Sequence, residues 1–336
     1  MSITSLYFTA PGQTELRERE PSSLTAESVR VETAFSAISS GTEKLLYRGE
    51  APDSLETDGP VETLVDDLSY PTRYGYATTG RVVECGNDVG EEWLGRRVFA
   101  YNPHEKGFVT DPESLLEIPE AIGMRRATLL ATMETAVNFV LDAQPTIGER
   151  VAVFGQGTVG LVTTALLSQM PLDSLTVVEP IEARREVALQ LGADYAVDPN
   201  TTAFEEQIIR PQGRPDLTFE LSGNPDALDD AMEVTGFDGR VVVGSWYGTE
   251  PASLSFGGRF HRHRLSLESS QVSTIAPQHE GRWSRERRHN VAWDWLAELS
   301  LDRLVTHEFP FEDAPEAYEL LDNAPDEVVQ VLLSYG

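Results

Sequence analysis

The chain has 336 residues, 40% of them hydrophobic, which is enough for two domains with cores of their own. Asp and Glu number 55 against 26 Lys and Arg, a formal net charge of -29 with a pI near 4.5, so nucleic acid and anionic membrane are excluded as expected partners. Cys85 is the only cysteine, which rules out an intramolecular disulfide and a cysteine-rich structural metal site.

The first residues, Met1 to Leu6, lack the basic and long apolar regions of a signal peptide, and no stretch approaches the ~20 apolar residues of a membrane span; a cytoplasmic location is expected. Short β-rich runs follow, among them Val29 to Thr33, Ala77 to Glu84 and Arg97 to Ala100, and predict a compact β domain over residues 1–130. Within it Asp53 to Asp67 is acidic, contains Pro and Gly, and is expected to be a mobile loop. From 131 to 271 strand and helix alternate. Strands are expected at 151–154, 175–179, 195–197, 217–221, 240–244 and 265–269, which fit a doubly wound parallel sheet of the α/β class. Residues 272–336 hold an Arg/Trp-rich stretch, an amphipathic helix through Ala292 and Leu296, a strand at His307 to Phe311, a helix through Ala317 and Leu321, and a last apolar run from Val328, and are expected to return to the β domain.

The most informative segment is Val151-Ala152-Val153-Phe154 followed by Gly155-Gln156-Gly157-Thr158-Val159-Gly160. A buried strand running into GxGxxG and then a helix is the pattern of a dinucleotide site. Gly155 allows the tight turn, Gly157 lets amides approach a pyrophosphate, and Gly160 lets the helix close on the sheet. Glu179 ends the next strand, where a carboxylate accepts hydrogen bonds from the adenosine ribose and favours NAD. Arg184 and Arg185 lie just beyond and offer the alternative of a 2′-phosphate, hence NADP. Ser222, with Gly223, and Gly244, with Ser245, follow two later strands and join the expected nucleotide contacts, as does Ser269-Ser270-Gln271 after the last strand.

With Tyr74 to Gly86, Gly95 to Phe99, Thr135-Ala136 and Leu304 to Phe311 added to this motif, nearly the whole chain resembles a medium-chain dehydrogenase/reductase. The resemblance implies a Rossmann sheet plus a GroES-like β-rich catalytic domain. It also makes Thr135 a cofactor-side residue and implies a homodimer through the last strand of the sheet. Zinc members of that family bind metal through a Cys, a His-Glu pair and a second Cys, and these places match Ser39, Tyr76, Ala77 and Ala131 here, so no zinc is expected. Another set, His104 with Glu43 and Glu134, is the alternative. Ile38 to Glu43 and Phe99 to His104 are similar to a zinc-free branch of bacteriochlorophyllide-type dehydrogenases. Where family members carry arginines for the pyrophosphate, Gln330 and Ser40 or Gly41 stand. Only two lysines, Lys44 and Lys106, and acids spread along the chain resemble proteins of salt-loving archaea.

Without a metal, hydrogen-bond donors must stabilise the oxygen that gains charge in hydride transfer. The candidates are Thr42, which matches the family's relay hydroxyl or else caps a short helix; Tyr76, a phenol or a space-filling ring; His104, a general acid or a surface loop residue; and Glu134, a base or a helix N-terminal acid. Tyr47 and Trp246-Tyr247 would flank a planar substrate or pack as ordinary aromatics. Arg282 to Arg288 would take an anionic group or pair with the acidic surface. The expected activity is zinc-independent, NAD(P)-dependent interconversion of a small alcohol and a carbonyl. An NADPH-dependent quinone or enone reductase and a catalytically silent nucleotide-binding protein are the alternatives.

Overall fold

The computed structural model describes residues 2–52 and 68–336, and the loop expected at Asp53 to Asp67 lies outside them. Two compact units are present, Met1–Ala131 with Leu296–Gly336, and Thr132–Trp295.

The first unit begins with a hairpin of β1 (Ile3–Ala10) and β2 (Gln13–Arg19). β3 (Val29–Ile38), helix α1 (Thr42–Arg48), β4 (Thr78–Cys85), β5 (Arg97–Ala100), β6 (Gly107–Thr110), β7 (Leu116–Glu117) and the short α2 (Met124–Ala127) follow. The second unit comprises α3 (Leu130–Ala143), β8 (Arg150–Phe154), α4 (Thr158–Leu167), β9 (Ser174–Val178), α5 (Glu182–Gln190), β10 (Tyr195–Val197), α6 (Phe204–Gln212), β11 (Leu217–Glu220), α7 (Pro225–Val234), β12 (Arg240–Val243), β13 (Ser266–Ser269) and α8 (Arg285–Glu298). The chain then returns to the first unit with β14 (Val305–Pro310), α9 (Ala314–Asn323) and β15 (Gln330–Ser334).

In the first unit a seven-stranded sheet runs β14-β15-β3-β4-β5-β7, with β6 also on β3; β14 and β15 are parallel and the other pairs antiparallel. Ile38 from β3, Leu46 and Tyr47 from α1, Phe311, Tyr318 from α9 and Leu333 from β15 share one core with Leu6 and Phe8 of β1. Tyr47 stacks on Tyr318 there at 5.7 Å, so its role is packing and not substrate contact.

The second unit is a six-stranded parallel sheet in the order β10-β9-β8-β11-β12-β13. All five residues of β9 and four of β8 are buried, as strands covered on both faces must be, and this is why they read as unbroken apolar runs. α4 is buried nearly all round, which its Val, Leu and Ala content allows. All six strands expected from the sequence form. One boundary moves: residues 272–295, expected with the β domain, group with the parallel-sheet unit, and Arg288 supplies the reason below. Among the described residues no helix is long and apolar enough to cross a membrane.

Candidate active site

The turn after β8 has the geometry its glycines require. Gly155 sits at φ 85°, and a Cβ there would stand 2.4 Å from Ser222 Cα, so only glycine fits. At Gly160 a Cβ would be 2.0 Å from Gly155 O, which measures how closely α4 approaches the turn. Gly157 differs: nothing lies within 4 Å of its Cβ position, and as the N-cap of α4 it brings no side chain to cap the helix. Amides of Thr158, Val159 and Gly160 in this first turn have no i−4 carbonyl within the helix, and a diphosphate fits that open, positively poled end.

Glu179 and Gln156 turn out to brace the turn itself. Glu179 is buried, with Oε2 accepting Gln156 N–H at 2.6 Å and Oε1 accepting Ile181 N–H at 3.0 Å. The Gln156 amide donates to Gly155 O at 2.9 Å and accepts from Thr164 Oγ1 at 3.0 Å. Gln156 was expected among the nucleotide contacts; both its side chain and its N–H are engaged inside the unit. Arg185 donates to Glu179 O and Pro180 O, each at 2.7 Å, which turns it onto the backbone and away from the 2′-phosphate role; Arg184 precedes it on α5. Ser222 and Gly244 stand at the C-terminal ends of β11 and β12, and Gly223 N–H donates to Ser245 Oγ at 2.9 Å. Beneath them Glu220, buried and not foreseen, accepts from Ser222 N–H at 2.8 Å and from the Tyr247 phenol, so Tyr247 is a strut of this loop pair.

Glu134 does not act as a helix N-terminal acid or a free base. It lies in the second turn of α3, where Arg288 Nη2 donates to Oε1 at 2.7 Å and His289 Nε2 stands 3.0 Å from the same oxygen. Arg288 is wholly buried and also donates to Asn138 Oδ1, Thr274 O and Val272 O. This guanidinium joins α8 to α3, and it explains both the shifted domain boundary and the fate of one arginine in the basic cluster. Asn138 and Asp142, further along α3, bind Ser270, so that serine too is an internal anchor. Thr135 is half-buried beside Glu134.

In the β-rich unit Tyr76 O–H donates to Ser39 Oγ at 2.5 Å and also hydrogen-bonds Thr42. Burial pushes the phenol of Tyr76 above its ordinary value; its hydrogen bonds with Ser39 and Thr42 oppose this in part, and Glu43 adds to the rise. Thr42 is not a helix cap, since Gly41 takes that position without a side-chain bond. His104, expected on the surface or at the substrate, has no exposure at all: Nε2 lies 3.0 Å from Glu43 Oε2 and Nδ1 lies 2.6 Å from Ser36 Oγ. Of the alternative zinc set, His104 and Glu43 are engaged with each other and Glu134 with Arg288. Among the described residues no group of three His, Cys, Asp or Glu is placed to hold a metal ion. The positions matching zinc ligands present two hydroxyls and two methyls, a donor set that does not fit zinc. Gln330 turns into its own sheet, donating to Ile38 O and Val331 O, each at 2.8 Å.

A glycine-turn parallel sheet and a β-rich unit that the chain enters twice define the class: the fold is that of the medium-chain alcohol dehydrogenases. Residues 158–287 match the family model described as zinc-binding dehydrogenase. D-guloside 3-dehydrogenase of Escherichia coli (strain K12) is 24% identical over 350 residues, covering 99% of this chain and 100% of that protein. The 2-desacetyl-2-hydroxyethyl bacteriochlorophyllide A dehydrogenase of Cereibacter sphaeroides is 26% identical over 353 residues, covering 99% and 98%. The crystal structure of the alcohol dehydrogenase rspB from E. coli CFT073, complexed with NADH, superposes with a TM-score of 0.81 over 99% of both chains at 22% identity, a likeness of fold. These likenesses are to dehydrogenases of the alcohol-dehydrogenase kind.

Proposed function

We propose that the chain is a zinc-independent, NAD-preferring dehydrogenase that interconverts a secondary alcohol and a ketone on a small hydroxylated substrate. The bound nicotinamide supplies or accepts the hydride. The amides at the N-terminus of α4 hold the diphosphate, and the buried carboxylate of Glu179 places a negative charge beside the turn, which disfavours a 2′-phosphate. The observation that carries the metal-free reading is the Tyr76–Ser39–Thr42 hydroxyl set at positions matching zinc ligands and the relay residue. In the direction of reduction Tyr76 turns its O–H from Ser39 Oγ to the substrate oxygen and gives up the proton as that oxygen gains charge, with Thr42 as a second donor. Its raised pKa keeps the phenol protonated at neutral pH, as a donor must be. The names of the relatives, with a sugar derivative and a diol among them, support a hydroxylated substrate. Working in concentrated salt and pairing β13, an edge of the parallel sheet, with that of a second copy complete this reading.

The test is a polyol and keto-sugar panel with NADH, run on chelator-treated protein and on Tyr76→Phe. Turnover is expected to survive chelation and to fall by about 10²-fold in Tyr76→Phe, with NADH affinity unchanged. Activity that disappears with removal of stoichiometric zinc and returns when zinc is added back would sink the proposal.

A further inference from the structure

Glu43, His104 and Ser36 are wholly buried in the β-rich unit, and the reaction proposed above uses none of them directly. Their hydrogen bonds have one consistent assignment of protons. An ionised carboxylate only accepts, so the His104 ring proton sits on Nε2, facing Glu43 Oε2 at 3.0 Å. Nδ1 is then the acceptor for the Ser36 hydroxyl at 2.6 Å, and Ser36 Oγ accepts in turn from the Tyr335 phenol at 2.8 Å. Burial holds Tyr335 protonated, with the Ser36 hydrogen bond opposing and nearby carboxylates reinforcing the shift. Tyr318 O–H and Ser39 N–H complete the donors on Glu43. The run has a single direction, from Tyr335 through Ser36 and His104 to Glu43. A doubly protonated ring would turn the Ser36 hydroxyl back on Tyr335 and leave the phenol proton with no acceptor in the set. The order serine, histidine, carboxylate is that of a nucleophilic triad, but Ser36 has no exposure on β3 and no substrate carbonyl reaches it.

The other end of this run meets the hydroxyls. Glu43 Oε1 accepts Ser39 N–H at 2.8 Å, and Ser39 Oγ accepts the Tyr76 proton at 2.5 Å. The ring of His104 also lies against Gly75, the residue before Tyr76: a Cβ on Gly75 would be 2.9 Å from Cδ2 and Nε2 of the ring. We infer that His104 and Glu43 are positioning residues, a buried imidazole and carboxylate that fix both the phenol of Tyr76 and the Ser39 acceptor that aims it. The inference rests on the role proposed for Tyr76. In this fold family's zinc enzymes a metal orients the substrate oxygen; here a histidine with no solvent access orients the group that replaces it.

Three measurements on the full chain test this. In the wild type, ¹⁵N-histidine NMR, with His104 assigned through His104→Gln, is expected to show the Nε2–H tautomer at neutral pH. A proton on Nδ1, alone or on both nitrogens, would overturn the assignment. In His104→Leu the Ser39 amide should exchange with deuterium more than about tenfold faster while amides of β8 keep their wild-type rates, and the Tyr76 ¹³Cζ resonance should move. His104→Gln, which can still donate to Glu43 and accept from Ser36, should restore both readouts to within about threefold of wild type. Unchanged Ser39 exchange and an unmoved Tyr76 resonance in His104→Leu would refute the positioning role, and should that variant not fold, the wild-type tautomer still decides. Failure of the Tyr76 assignment is separate: it shows as full turnover in Tyr76→Phe whatever the NMR and exchange results.

Discussion

Arg288 illustrates how a residue of ordinary appearance in the sequence becomes structural. All its donors end on acceptors of α3 or of the segment after β13, so the desolvation of a guanidinium is offset by charge-assisted bonds with Glu134 and by backbone carbonyls. Replacing Arg288 with Met leaves Glu134 buried without its guanidinium, and should lower stability by about 3–5 kcal/mol in urea unfolding. Adding Glu134→Leu should recover most of the loss, and a single variant as stable as wild type would show that the pair contributes little. His104 and Arg288 share the reason they were misread. Their side-chain partners lie 61, 68, 150 and 154 residues away, so local composition carries no trace of their burial. The glycine turn was legible because its requirements are local, each set by a clash or a φ angle within one loop and its neighbours.

Among elements, the parallel sheet was readable almost residue by residue, because strands covered on both faces must be apolar throughout and the glycine turn fixes where one of them ends. Glu179 shows where such reading stops. A carboxylate at the end of β9 is visible in the sequence; that it is engaged by the amides of Gln156 and Ile181 is not. The N-terminal ends of β8, β11 and β12 are tied by Arg150 to Asp216 and by Arg240 to Glu149. Burial alone would raise Asp216 and Glu149, but the hydrogen bonds from their arginines outweigh it and hold both carboxyls below their usual range. A carboxyl lowered in the folded state stabilises the fold above its unfolded pKa, and that stabilisation disappears as pH falls through the folded value. Urea midpoints should therefore decline below about pH 4, and Asp216→Asn should flatten part of that decline. A midpoint with the same acid dependence in Asp216→Asn would show the pairing to be energetically idle.

For the whole molecule the charge of -29 is the governing quantity. Arginine pairs such as Arg126 with Asp302 and Arg48 with Asp322 relieve it locally, but exposed pairs contribute little each, and the acids far outnumber the cations. Moving from about 1 M to about 0.1 M salt lengthens the screening distance from roughly 3 to roughly 10 Å, so the melting temperature should drop on dilution of salt. Equal melting at both ionic strengths would remove the case for a protein built for brine.

The glycine N-cap of α4, together with Gln330 folded back into its own sheet, would bear on coenzyme binding in concentrated salt. Backbone dipoles are part of the polymer and have no counterions to exchange, whereas a guanidinium in the same place would be competed for by every chloride in solution. A coenzyme seated on amides would thus stay bound where one seated on ion pairs would be washed off by the medium itself.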